Sequence, residues 1–163
     1  AGEEIGLVYS SDLRRAVDTA AVTAKRHHLP VVPSPELREI DFGQCEGLTF
    51  DEMKERYPET EGIWNTDGQD ICFPGGESVL ALTERVATFA ERLRCESYGT
   101  ALVVAHGGSL RVLVCCLAGL ELPAWREIRI ERASLSVIEM DGHRGKVLLL
   151  NDVFHLGIRE VVI

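Results

Sequence analysis

Residues 101–119 narrow the fold more than any other stretch. Ala101 to Ala105 (ALVVA) is apolar at every position without alternation, the pattern of a strand covered on both faces, as parallel strands in α/β proteins are. His106, Gly107, Gly108 and Ser109 follow at once, and Leu110, Leu113, Val114 and Leu117 then recur at helical spacing until Gly119 and Pro123 close the helix. Strand, glycine turn and helix in direct succession predict a parallel sheet, whose ligand sites lie at the carboxyl ends of its strands. His106 stands at such an end. The two glycines let a ligand approach the helix N–H groups, so the turn is an anion cradle whose imidazole faces the same space and exchanges protons near neutrality. The competing reading is a histidine that caps the helix or is hydrogen-bonded in the core.

The rest of the chain repeats this grammar. Ile5 to Tyr9 reads as a strand, with Ser10, Ser11 and Asp12 as candidate N-caps. Leu13, Ala16, Val17, Ala20, Ala21 and Ala24 then share one helical face up to His27 or His28. Val31 and Val32 predict a brief strand, Pro35 to Gly47 irregular chain, and Thr49 to Tyr57 a short helix capped by Thr49 or Asp51. Pro58 to Gly76 is loop by composition and forms part of a pocket roof, with Trp64 and Phe73 as its aromatics. Val79, Leu82, Val86, Phe89, Ala90 and Leu93 make the stripe of the longest helix, within Glu77 to Glu96, and Leu135 to Met140 and Lys146 to Leu150 form a hairpin. The whole, residues 1–163, is a single domain: a three-layer α/β/α sandwich with a mostly parallel sheet.

Composition bounds the partners. With 17 basic and 26 acidic residues the net charge is −9, so no field for gathering nucleic acid covers the molecule and any anion site is local. The five cysteines, including adjacent Cys115 and Cys116, have neither disulfide nor zinc spacing, which fits a reducing cytoplasm; no metal and no cofactor is implied. The apolar run from Leu110 to Leu120 is broken by Arg111 and falls short of the ~20 residues of a membrane span. A small soluble ligand is therefore the expected partner; a homodimer is compatible with the pattern but not readable in it.

Arg14 and Arg15 occupy a helix's opening turn, where the macrodipole disfavours cations by up to roughly 1 kcal/mol each, so an anion held there would compensate, unless Asp12 neutralises them. Glu39 and Asp41 follow the second strand, and either could bring a carboxyl group to the same rim. His27 and His28 belong to a helix end, and His155 stays ambiguous. Gly142 to Lys146 (GHRGK) opens a strand rather than a helix and is no phosphate loop.

In order, YSSDLRRA (9–16), LREIDFGQCEG (37–47), PGGES (74–78) and VVAHGG (103–108) resemble motifs of the histidine phosphatase superfamily, the phosphoglycerate mutase-like fold, across nearly the whole chain. NDVFHL (151–156) resembles the ending of its small α-ribazole phosphate phosphatases. The resemblance implies phosphoryl transfer through a phosphohistidine. It assigns Arg15 to clamping the phosphate, Glu39 to protonating the leaving oxygen, and His106, with the adjacent Gly107, to holding the transferring group. The nucleophile of the family lies in an opening Arg-His-Gly motif, a tripeptide that these 163 residues do not contain. The chain is accordingly expected to be part of a longer protein and inactive alone, lacking the family's first strand and helix; an intact mass of 18.0 kDa would contradict this. Cys45 stands where the family often has Trp, which bears on the pocket wall. The implied activity is metal-independent hydrolysis of a small phosphomonoester, with α-ribazole 5'-phosphate as a candidate. A cofactor-dependent phosphoglycerate mutase and an inactive anion-binding relative are the alternatives.

Overall fold

In the computed structural model, which describes residues 4–65, 71–96, 99–142 and 144–157 without the side chains of Trp64 and Asn65, the strand Leu7–Ser11 (β1) is the middle of a parallel sheet. Val31–Ser34 (β2) flanks it on one side and Ala101–Val104 (β3) on the other. Alternation along β1 sets up the layers, because successive side chains point to opposite faces. Val8 meets Ala20 and Ala24 of the helix Arg14–His27 (α1), while Tyr9 faces the larger core on the other side. The buried stripe of α1 is alanine alone, Ala16, Ala20 and Ala24; Ala21, expected on the same face, is exposed. Helices thus cover both faces of the parallel sheet, as the three-layer architecture requires.

Ser10 and Ser11 do not cap α1. They pair with Pro33 and Ser34, so β1 runs two residues past Tyr9, both serines are fully buried, and Leu13 becomes the N-cap without a side-chain bond. At the other end His28 adopts φ 56° and returns its N–H to the carbonyls of Ala24 and Lys25, so its backbone rather than its ring closes the helix.

Thr49 caps Phe50–Arg56 (α2) through a reciprocal capping box with Glu52, as its spacing predicts. The stretch read as loop after Pro58 instead contains a 3-10 turn, Pro58–Thr60, and a helical turn, Glu61–Asn65 (α3), whose Ile63 is fully buried. One turn is too short to display a period, so composition misled there; residues 66–70 of the predicted roof lie outside the described residues.

Val79–Cys95 (α4) is capped by Ser78, whose Oγ accepts from the Ala81 N–H at 3.1 Å, and packs against Gly107–Ala118 (α5). Its Val79, Leu82, Val86 and Phe89 are fully buried, the Phe89 ring meeting Tyr9 edge-on at 5.1 Å. Gly119, at φ 67°, ends α5 as expected. Leu135–Asp141 (β4) and Arg144–Asp152 (β5) form the predicted hairpin as a separate antiparallel pair. β3, read as covered on both faces, is only half-buried at each residue: it bonds to β1 along one edge, and no described strand pairs with the other. No helix among the described residues is long and apolar enough to cross a membrane.

Phe89→Ala should remove about 3–5 kcal/mol of stability, because the ring fills the seam between α4 and β1. Urea unfolding midpoints of the two proteins measure it.

Candidate active site

Parallel pairing places the carboxyl ends of β1 and β3 side by side, with Ser10 opposite Val104. Arg15 follows the first end and His106 the second, and the Arg15 Nε–H donates to His106 Nδ1 at 3.2 Å. Two residues 91 positions apart therefore meet at one end of the sheet. Arg14, beside them in sequence, instead points into water, 94% exposed and 3.5 Å from Asp18. Asp12 does not neutralise this helix start. Both its oxygens accept from Arg38, at 2.7 and 2.5 Å, and that pairing holds its carboxyl below the usual carboxylate range.

Because Nδ1 accepts from Arg15, the proton of a neutral His106 resides on Nε2, which is buried and without a hydrogen-bond partner among the described residues. Burial, then the charges of Arg15 and Arg85, lower its pKa to about 4. This corrects the expectation of proton exchange near neutrality: at pH 7 His106 is a neutral donor, not an acid–base group.

Glu39 comes to the same place. Its Oε1 accepts the N–H groups of Gly108 and of Ile40, each at 3.0 Å, and so seats a carboxylate at the positive N-terminus of α5. The expected anion cradle is thus partly filled by the protein's own acid, with Gly107 beside it. A Cβ at Gly108 would lie 2.4 Å from Glu39 Oε1, so the absence of a side chain there is what admits the carboxylate. Asp41 does not join them; its Oδ1 accepts the Gly43 N–H and stabilises the turn.

Sequence reasoning missed what fixes Glu39. Arg85 bonds both oxygens of Glu77 and donates to the carbonyls of Glu36, Arg38 and Glu39, clamping the loop that carries the acid. The PGGES motif is the other half of this device: Glu77 N–H donates to the Asp41 carbonyl, and Gln44 N–H to that of Pro74. Gly43 and Gly76 meet backbone to backbone there, where a Cβ on either would sit 2.3 Å from a carbonyl oxygen. Ser109 adds a tie from its Oγ to the Leu37 carbonyl at 3.0 Å. The available signal was an arginine beside the apolar stripe of α4, one of three on that helix.

A cavity of ≈190 Å³ opens beside Glu39, Gly107 and Gly108, with Phe42 and the buried Phe73 in its wall. Cys45, flagged for the pocket wall, is buried in the core outside that lining. His155 is exposed in the turn Phe154–Leu156, and His143 lies outside the described residues.

The family model described as "Histidine phosphatase superfamily (branch 1)" matches residues 1–153. The chain belongs to the histidine phosphatase superfamily. It is similar to phosphoserine phosphatase 1 of Hydrogenobacter thermophilus, 35% identical over 95% of this chain and 74% of that one. It is also similar to the adenosylcobalamin/alpha-ribazole phosphatase of Escherichia coli, 31% identical over 92% of this chain and 74% of the relative. The crystal structure of the alpha-ribazole phosphatase from Shigella flexneri superposes with a TM-score of 0.79 at 30% identity, covering 90% of this chain and 73% of that one. The fold is accordingly the phosphoglycerate mutase-like α/β fold of this superfamily.

Two outcomes test this geometry. Gly108→Ala should push the Glu39 carboxylate aside, leaving urea stability within about 1 kcal/mol of the parent while lowering turnover by the full-length polypeptide on the order of 10²-fold. The depressed folded pKa of His106 means that the unfolded chain takes up its proton first. Its contribution to stability is therefore present above about pH 6.5 and lost as pH falls towards about 4. The urea midpoint should decline through that window, and less so in His106→Gln.

Proposed function

We propose that this protein is a phosphomonoesterase that hydrolyses a small soluble metabolite through a phosphohistidine, without a metal. The observation that carries the reading is the meeting of Arg15, His106 and Glu39: a guanidinium fork and a buried imidazole donor beside a carboxylate on a helix N-terminus. Phosphoryl transfer needs positioned positive charge around the equatorial oxygens, and Arg15, the Nε2–H of His106 and the Gly107 N–H supply it.

In the first step, an imidazole nitrogen of the histidine in the family's Arg-His-Gly segment attacks phosphorus. The ester P–O bond breaks, and the leaving oxygen takes the proton of Glu39, which enters this step as the carboxylic acid and leaves it as the carboxylate. In the second step, water attacks the same phosphorus as the P–N bond breaks, Glu39 accepts the water's proton, and phosphate departs. The relatives' names bring forward phosphoserine, α-ribazole and adenosylcobalamin; of their phosphate esters, phosphoserine and α-ribazole 5'-phosphate are the small ones.

The test is phosphate release by the full-length polypeptide, with chelator present, from a panel containing both esters. Release is expected, and Arg15→Ala should lower it by about 10²- to 10³-fold with little loss of stability, since the residue is exposed. Transfer between phosphoglycerates in place of release would favour a mutase, and vanadate binding without turnover an inactive relative. The 163-residue chain alone should bind vanadate but release no phosphate; turnover by it would overturn the assignment of the nucleophile.

A further inference from the structure

Arg111 is a guanidinium that this mechanism leaves unused. It stands on α5 four residues beyond Gly107 and three beyond Gly108, so the three share a helix face, with Arg111 about 6 Å further along the axis at 1.5 Å per residue. It lines the same ≈190 Å³ cavity as Glu39 and the two glycines, opposite apolar walls that include Phe42, Phe73 and Leu82. The side chain is half-buried, its Nε is out of reach of solvent, and among the described residues it has no hydrogen bond or ion pair. The arginines of the neighbouring helix α4 are spent: Arg85 on Glu77 and the loop carbonyls, Arg92 on Glu36, Arg94 on Glu91 and the Cys116 carbonyl. The buried Nε–H faces this cavity without an acceptor, and leaving such a donor unsatisfied is costly unless a ligand meets it.

The phosphoryl group is not that ligand, since its own partners are Arg15 and His106 at the opening of α5. We propose that Arg111 forms a second anion subsite, which binds a carboxylate on the leaving alcohol. This rests on the phosphomonoesterase reading and narrows it to phosphate esters of small hydroxy acids. The two anions of such a substrate are separated by two or three carbons, which matches the single helical turn between Gly107 and Arg111. The planar fork of the guanidinium suits a carboxylate. The cavity holds a leaving group of that size.

The experiment compares O-phosphoserine with O-phosphoethanolamine, which differ only by the carboxylate, as substrates of the full-length protein. The wild type should prefer phosphoserine by about 10²-fold in kcat/KM, because a pocket built around a polar group discriminates strongly against the analogue lacking it. Arg111→Met should bring the ratio close to one, and Arg111→Lys should retain part of it. Equal kcat/KM for the two esters in the wild type overturns the subsite whether or not the variants fold, as does a ratio unchanged in a folded Arg111→Met. Either result leaves the phosphatase reading standing, because phosphate has been released. No release from any ester overturns both.

Discussion

The site depends first on the parallel pairing of β1 with β3. Antiparallel neighbours would send Arg15 and His106 to opposite edges of the sheet. Parallel ones bring both strand ends to one edge, and the single hydrogen bond between the two side chains then fixes the imidazole's tautomer. Register follows from side-chain alternation, since Val8 must reach the alanine stripe of α1 while Tyr9 reaches Phe89. A slip of one residue would reverse both contacts and move the chemistry away from its partner. Packing on the two faces of β1 and the alignment of the site are thus one constraint.

Charge at the two helix starts is arranged in opposite senses. α5 begins with a carboxylate against its N–H groups, which its dipole favours; α1 begins with Arg15, which its dipole opposes by up to about 1 kcal/mol. The acid at the first is locked by Arg85, Glu77 and the glycine contact at Gly43 and Gly76, whereas the cation at the second stays exposed and is held by a neutral ring. The proposed phosphoryl group would relieve the second imbalance without disturbing the first. A rigid acid and an unneutralised cation are what a site that binds an anion and protonates its leaving oxygen requires.

Much of this was legible in the residues. The apolar run ending in HGG marked β3, its turn and α5, although β3 is only half-buried and not covered on both faces as the run implies. His106 stood out at a strand end, while Arg14 with Arg15 and Glu39 with Asp41 stood as pairs from which the family resemblance chose Arg15 and Glu39. What the sequence concealed is long-range: the Arg85 clamp joins α4 to carbonyls 46 to 49 residues away, and carbonyls carry no sequence signature. The Ser10 and Ser11 extension of β1 was hidden likewise, since serine suits a cap until a neighbouring strand claims its backbone. α3 was hidden by length.

The neutral state of His106 follows from the same geometry that built the site. An imidazolium beside Arg15 would set two cations in one half-enclosed hollow, so burial and the guanidinium act in the same direction and keep the ring unprotonated near neutral pH. A neutral ring whose Nδ1 is occupied has one remaining polar function, the Nε2–H donor, and that donor is the atom the fold leaves buried without a partner. The hydrogen bond from Arg15 therefore does more than join two elements. It leaves His106 able to hold an oxygen and unable to surrender a proton cheaply, which accords with the proposal that Glu39 carries the proton transfer.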